Sequence, residues 1–462
     1  MGTEFQSKVC ERLPLGEAVL RLSQFALSDE NLQVIYDSCR GRSYERVITF
    51  PLFVNLIGKA LLEHSGSGHQ AFTRAIETET LETSFQAMYG KLQRVPVLLS
   101  QEFLLRSTAQ LQLVFPEVKS HLPKCLQDFD VINVDGKKLK HLPKRLLPTR
   151  KLKGNVFGGK LVVGMDQRTG MTIAMNSSLD GEEADQPLVP GLLDQVRSVS
   201  RRRRLFVEDR GFCDLVQPSL LQEDEHFLIR YHLKVGFHCD PDVKPKEGKD
   251  HRGRKYREEW GWLGNPIDPR AVYVRKITVY QGKTDILSVV TSLLDSKKFP
   301  AADLLEVYAH RWDIEKLFQR VTEVYCLNEL ISSTPKATIF QAAYCFFLSN
   351  TILTVRAFLA NRQDVTPEEV SEYQVQYDVR GELTAWCKMI DPDDTIDVLG
   401  DIMTPGRLRQ YLQRRLSTAW SDRYNKTKPT KHTPVENKRY IKGGHTSMQR
   451  LLDLAKPIKQ TC

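Results

Sequence analysis

The hydrophobic pattern of this chain changes period once, near Pro123, and that change constrains the fold more than any property of its composition. Before it, Leu15, Val19, Leu22, Phe25 and Ala26 recur at a helical spacing, as do Phe50, Phe53, Val54, Ile57, Leu61 and Leu62. Residues 1–125 are therefore expected to be helical. After it come short β-type runs: Asp130 to Asp135, closed by Gly136, then Lys160 to Met165 and Met171 to Met175 around a turn at 166–170. A helix is expected over 188–199, a strand from Arg204 to Asp209, a helix over 213–221 and a strand over 226–232. The order β, β, β, α, β, α, β predicts an α/β fold with a mixed sheet flanked by helices.

Residues 233–283 interrupt this alternation. They are rich in Lys, Gly, Pro and Asp, with alternating Val272, Val274, Ile277 and Val279, and predict a β-rich insertion. The core pattern resumes with a strand at 286–291 and a helix from Ala301 to about Tyr325, followed by a helical block from Ile339 to Leu416. A chain of 462 residues exceeds the roughly 250 to 300 that a single core accommodates. The expected divisions are a helical region 1–125, an α/β core in two parts (126–232 and 284–335), the insertion 233–283, a helical region 336–420 and a basic tail 421–462. The most apolar stretch, Ile339 to Leu359, carries Gln341, Asn350 and Arg356, which predicts a buried helix rather than a membrane span. No secretory pattern opens the chain, and its nine cysteines include no C-x-x-C pair, so reduced thiols and a cytoplasmic location are expected.

The net charge of +9 is unevenly spread. Residues 131–153 hold eight Lys and Arg and a single acid, Asp135; Arg201 to Arg204 form an unbroken run, and further arginines lie between Arg407 and Arg415. The tail from Ser421 is also basic, for which a solvated or disordered arm is the better explanation. Eight cations around one carboxylate at a strand end point instead to a polyanion, whose phosphates release counterions when neutralised.

Asp135 and Asp209 close two expected strands at their C-terminal ends, where ligands gather on open α/β sheets. Glu315 belongs to the helix expected over 301–325, and helical geometry puts it on one face with Tyr308, Arg311, Phe318 and Thr322, opposite Ile314, Leu317 and Val321. Three convergent carboxylates suit two Mg²⁺ ions about 3.5 to 4 Å apart, the apparatus of phosphoryl transfer. The same residues also fit turn positions before glycine and an i, i+4 ion pair of Glu315 with Arg311. Glu208 is expected on the face opposite Asp209, and Asp313 well round the helix from Glu315, so neither is a predicted ligand. His226, His232 and His238 lack zinc-finger spacing.

Three segments, Asp135-Gly136, Asp209-Arg-Gly-Phe212 and Tyr308-Ala-His-Arg311-Trp-Asp-Ile-Glu315-Lys-Leu-Phe318, resemble in order and spacing the catalytic motifs of bacterial insertion-sequence transposases of the DDE type. The resemblance covers roughly residues 130–330 and is to the family with a Tyr-Arg-Glu-Lys signature. It implies a ribonuclease-H-like catalytic core, a β-rich insertion between the second Asp and the Glu, and an N-terminal helical region that helps bind transposon ends. It further implies Mg²⁺-dependent cleavage at those ends and transfer of the 3′-hydroxyl into target DNA, with two metal ions for which Mn²⁺ can substitute. The implied partners are double-stranded DNA and a second copy of the chain in a synaptic complex at the nucleoid.

Carried over, Asp135, Asp209 and Glu315 are the metal ligands, and Tyr308 and Arg311 hold the DNA backbone. The family's lysine, seven residues after the glutamate, is Thr322 here, with Lys316 and Arg320 the nearby cations on the same helix. Lys137, Lys138 and Arg210 flank the two aspartates and are further expected DNA contacts. Trp260 and Trp262 lie among cations in the insertion and suit either stacking on an unpaired base or packing of the β strands. A catalytically impaired DNA-binding regulator and a structure-specific nuclease are the alternative functions, the first suggested by Thr322.

Overall fold

The structure is a computed structural model that describes residues 3–41, 43–140, 142–144, 156–282, 284–363, 365–390 and 392–426. Residues 1–425 form one compact unit, and 426–462 fall in a second. The expected basic tail therefore lies almost wholly outside the described residues, as does half of the cation cluster that follows Asp135.

Seven helices come first: α1 (Thr3–Arg12), α2 (Pro14–Ala26), α3 (Asp29–Cys39), α4 (Phe50–Leu62), α5 (Gly68–Glu77), α6 (Phe85–Arg94) and α7 (Val97–Val114). Four begin at a hydroxyl that accepts a backbone N–H of the first turn: Ser28 for α3, Thr49 for α4, Ser67 for α5 and Ser84 for α6. Such caps satisfy donors that no helical carbonyl reaches. The faces read from periodicity are the buried ones, with Leu15, Val19 and Leu22 in α2 and Phe53, Val54 and Ile57 in α4 at the centre.

The sheet strands are β1 (Phe129–Lys138), β2 (Lys160–Asp166), β3 (Thr172–Ser178), β4 (Arg203–Glu208), β5 (Glu225–Arg230), β6 (Phe237–Cys239), β7 (Lys246–Lys249), β8 (Lys255–Leu263), β9 (Val272–Gln281) and β10 (Thr284–Thr291). They run β3-β2-β1-β4-β5-β10-β9-β8-β6, with β7 beside β8. β3, β2 and β1 are antiparallel neighbours, whereas β1, β4 and β5 are parallel, with α8 (Val189–Val199) carrying the chain from β3 to β4. This is the expected ribonuclease-H-like mixed sheet flanked by helices. The strands of 233–283 continue it, because β9 pairs along the length of β10.

Two sequence expectations fail locally. The helix expected over 213–221 is absent; short 3₁₀ turns at Arg210–Phe212 and Gln217–Leu220 replace it. Asp214 captures the N–H groups of Val216 and Gln217 at 2.9 and 2.7 Å, and Pro218 has no N–H to extend a helix, so a local turn outcompetes it. The helix expected from Ala301 to Tyr325 is broken into α9 (Ala301–Ala309), a 3₁₀ turn at His310–Trp312 and α10 (Asp313–Glu323). The amide of Asn133 on β1 donates to the His310 carbonyl at 3.0 Å, and Gln167 donates to the Val307 carbonyl at 3.1 Å, so carbonyls around the break are satisfied from the sheet.

The remaining helices are α11 (Pro335–Gln363), α12 (Glu372–Met389), α13 (Pro392–Leu399) and α14 (Pro405–Leu416). α11 is long and apolar enough to cross a membrane, yet 94% of its most apolar window is buried inside the protein. Phe340 packs 4.9 Å from Phe53 of α4, and Tyr344 stacks 5.5 Å from Phe103 of α7. Its polar residues are paired: Asn350 bonds Thr108 of α7 and both backbone groups of Thr172 at the start of β3, and Arg356 meets Glu372 at 2.6 Å. Side chains of these helices and of one sheet face, including Ile132 and Val134, form a continuous core. The opposite face, with Val131, Leu205, Val207 and Leu228, packs with Leu304, Leu305 and Tyr308 of α9.

Candidate active site

The β1–β4 register brings two of the predicted acids side by side. Val134 pairs with Glu208, so Asp135 and Asp209 are the next residues on adjacent parallel strands. Alternation sends both to the face covered by α9, while Gly136 and Glu208 point to the other. Glycine at 136 leaves room for Asp185: a Cβ there would stand 1.9 Å from its Oδ1, which holds the buried Lys160 at 2.6 Å, so the Asp185 side chain would have to shift. Glu315 arrives from the first turn of α10.

Between these acids lies Arg311, on the 3₁₀ turn and only 5% exposed. Its Nη2 donates to Glu315 at 2.8 Å and its Nη1 lies 3.6 Å from Asp135 Oδ2. Burial works against the guanidinium charge, but Glu315, Tyr308, Asp209 and Asp135 together hold it above its ordinary range. Burial pushes the Asp135 carboxyl up to about 6, opposed by the Gly136 N–H and Arg311 and reinforced by Glu315 and Asp209. The three carboxylates therefore feel one another, and a single guanidinium stands among them. Tyr308 lines the same space, its phenol raised above its usual range chiefly by burial, with Asp209 adding to the rise.

The donor set is all oxygen, as Mg²⁺ requires. Asp209 Oδ1 is buried without a hydrogen-bond partner, its nearest cation being Arg230 at 4.0 Å, which leaves lone pairs free for a metal. As they stand, among the described residues, no three His, Cys, Asp or Glu side chains are grouped to hold one ion. The i, i+4 ion pair of Arg311 with Glu315, one of the readings open from sequence, is thus also present.

The other predicted residues are scattered. Lys137 shares the Asp135 face of β1 and donates to the Thr322 hydroxyl at 2.9 Å and the Phe318 carbonyl at 3.3 Å on α10. Burial, with Lys140 nearby, lowers its ammonium to about 8. A cation from the strand thus sits against the position where the helix lacks one. Lys138 lies over the Phe157 ring and Arg210 is exposed beyond Asp209. Lys316 is exposed and pairs with Asp313 at 2.8 Å, while Arg320 turns away to Glu372 of α12 at 2.8 Å. Trp260 is buried, its indole N–H donating to the Leu294 carbonyl at 2.9 Å; Trp262 is half-buried, edge-on to Tyr273. Neither tryptophan is brought to the carboxylates.

Glu208 is fully buried, accepts from Gln217 at 2.6 Å and is pushed up to about 8 by burial. Asp313 binds His310 and Lys316. Sequence reasoning missed Asn133 and Gln167, which fix the turn bearing Arg311, and Arg230, which faces Asp209. Arg230 ends a recognisable strand beside the one ending at Asp209, a signal that was readable; the two amides carry none.

Comparison with known proteins adds two findings. The family model described as a transposase DDE domain matches residues 127–351, a span that begins just before β1 and includes all three acids. The transposase InsG for insertion sequence element IS4 of Escherichia coli (strain K12) is 25% identical over 158 residues, 32% of this chain. The match spans about a third of that relative's length, 34%.

Proposed function

We propose, from the match of residues 127–351 to the transposase DDE domain family, that this protein is a DNA transposase that cleaves at transposon ends and joins the 3′-hydroxyl to target DNA. The observation that supports the proposal is Arg311 bridging Asp135 and Glu315, with Asp209 on the strand beside Asp135, all inside the matched span.

Asp135, Asp209 and Glu315 would hold Mg²⁺, or Mn²⁺ in its place. Two such ions supply an activated water and neutralise charge developing on phosphate oxygens. The protein's own residues prepare the ground. β1 and β4 fix two carboxylates by strand register, and the Gly136 N–H holds Asp135 Oδ1 at 2.8 Å. Glu208, neutral in the fold at pH 7, adds no fourth negative charge beside Asp209. Arg210, exposed just beyond Asp209, offers a cation next to the acids, where a phosphate backbone passing the site would be held, whereas Lys137 is engaged by α10 and Lys138 lies on the other face of β1. We further propose double-stranded DNA as partner, assembly of two copies at paired ends, and action on the chromosome in the cytoplasm.

The test is Asp135→Asn assayed on a DNA fragment carrying the element's ends. Cleavage should disappear while retention of DNA in a mobility-shift assay persists. A variant that still cuts would overturn the enzymatic reading, and a wild-type protein that binds ends without cutting in Mg²⁺ would favour the regulator.

A further inference from the structure

We propose that Arg311 is a built-in counter-ion for the three carboxylates, which holds the site together before metal binds and is displaced when metal enters; this rests on the metal-binding reading above. Asp135, Asp209 and Glu315 would bring three negative charges into a space whose walls are Tyr308, Phe318 and the sheet, and desolvated like charges repel strongly. Arg311 supplies one positive charge at their midst, at 2.8 Å from Glu315 and 3.6 Å from Asp135, and is 5% exposed. Arg230, the other cation facing the group, lies at 4.0 Å from Asp209 and is more exposed.

The way Arg311 is held marks it as exchangeable. A guanidinium offers five N–H donors, and a fixed structural arginine uses most of them. Here one bond goes to a carboxylate, Glu315, and Nη1 is buried with no hydrogen-bond partner at all. Arg356 also has a buried nitrogen without a partner, Nε, but it makes three directed bonds, to Glu372 and to the Pro367 and Val370 carbonyls, against the single one from Arg311 to a carboxylate. Arg311 is retained by charge rather than by a full set of directed bonds. Charge is also what a divalent ion offers in larger amount: with two Mg²⁺ bound, three carboxylates are already over-neutralised, and a third cation among them would be repelled.

The alternative is that Arg311 braces Glu315 in its ligating position, and the two roles predict opposite effects on metal affinity. Mn²⁺ affinity is measured by titration calorimetry on the full chain without DNA, for wild type, Arg311→Gln and Arg311→Lys, with melting temperatures recorded in EDTA and in Mg²⁺. A displaced counter-ion predicts that Arg311→Gln binds Mn²⁺ about ten-fold tighter or more, as removal of a competing charge in a half-buried site requires, and gains more melting temperature from Mg²⁺ than wild type. Arg311→Lys, which keeps the charge, should stay near wild type. Affinity in Arg311→Gln that is unchanged or weaker would overturn the counter-ion role. No Mn²⁺ binding by any of the three proteins would instead remove the metal-site reading on which it stands.

Should Arg311→Gln fail to fold, wild-type protein answers the question by phenylglyoxal labelling and peptide mass mapping. Labelling of Arg311 should rise on addition of Mg²⁺, as the side chain leaves its buried place, while Arg356 stays unlabelled. Arg311 that remains protected in Mg²⁺ would overturn the proposal.

Discussion

Replacing Glu208 by glutamine should change how stability depends on pH rather than stability at one pH. Glu208 is fully buried and pushed up to about 8, chiefly by burial, with Asp214 adding to the rise and the Gln217 amide opposing it. In the unfolded chain the same group titrates near 4.5. Between those values the folded protein holds a proton that the unfolded chain has lost, so stability must fall as pH rises through this window and level off above about 8. At about 1.4 kcal/mol per unit, the contribution between pH 5 and pH 8 is about 4 kcal/mol, an upper figure because the interior can relax around the ion. Glu208→Gln keeps the shape and retains an oxygen to accept from Gln217, but carries no proton to lose. Urea unfolding of both proteins at several pH values from 5 to 8 isolates this residue, since every other group titrates in each. The gap should move by a few kcal/mol in favour of the variant as pH rises. Parallel curves would show that Glu208 has the same affinity for protons folded and unfolded, and the argument from burial would be wrong.

Gly136→Ala should lower the melting temperature, costing about 1 to 3 kcal/mol, because the new methyl meets Asp185 at 1.9 Å and the Asp185–Lys160 pair must give way. Glu372→Gln should cost about 3 to 5 kcal/mol in urea unfolding, since it leaves Arg356 buried without its counter-charge and removes the partner of Arg320. Thr322→Lys should lower the melting temperature by placing a second ammonium beside Lys137, and adding Lys137→Thr should recover it. Recovery would fail if position 322 faced open solvent.

Asp135 and Asp209 stood out in the sequence as acids near a glycine at the end of a β-type run, but only Asp209 follows the last residue of its strand; β1 continues past Asp135 and Gly136 to Lys138, because β2 pairs with it along that whole length. Glu315 was legible by motif more than by periodicity. The helical wheel assumed an unbroken helix from Ala301, and the break at 310–312 is made by Asn133 and Gln167, residues remote in sequence whose amides reach across from the sheet. Spacing put Arg311 on the face of Glu315, and the resemblance implied a DNA contact for it; in the fold it is buried, bridging Glu315 and Asp135. Spacing tells which face a residue occupies and says nothing of what covers that face. Trp260 illustrates the same limit: surrounding cations suggested a nucleic-acid platform, but its burial follows from long-range packing under Leu294. The missing turn of helix after Cys213 had a local cause, Asp214 and Pro218, that a reading attentive to side-chain competition with the backbone would have found.

The long helix α11 sets the order in which this chain can become itself on the ribosome. α2, α4 and α7 are made early, yet the surface they close upon, Phe340, Tyr344 and Phe347, is not synthesised until the whole sheet has emerged. Until residue 363 is out, the first seven helices can pack only on one another and on the early sheet, and the faces that meet α11 stay exposed. The same helix defeats excision of a minimal catalytic fragment. A piece cut at residue 351 would end in mid-helix, with Asn350 still tied to Thr172 but its second partner, Thr108, removed with α7. Shortened versions of this protein, whether made in the laboratory or left by a truncated gene, should therefore be recovered as aggregates rather than as dominant inhibitors.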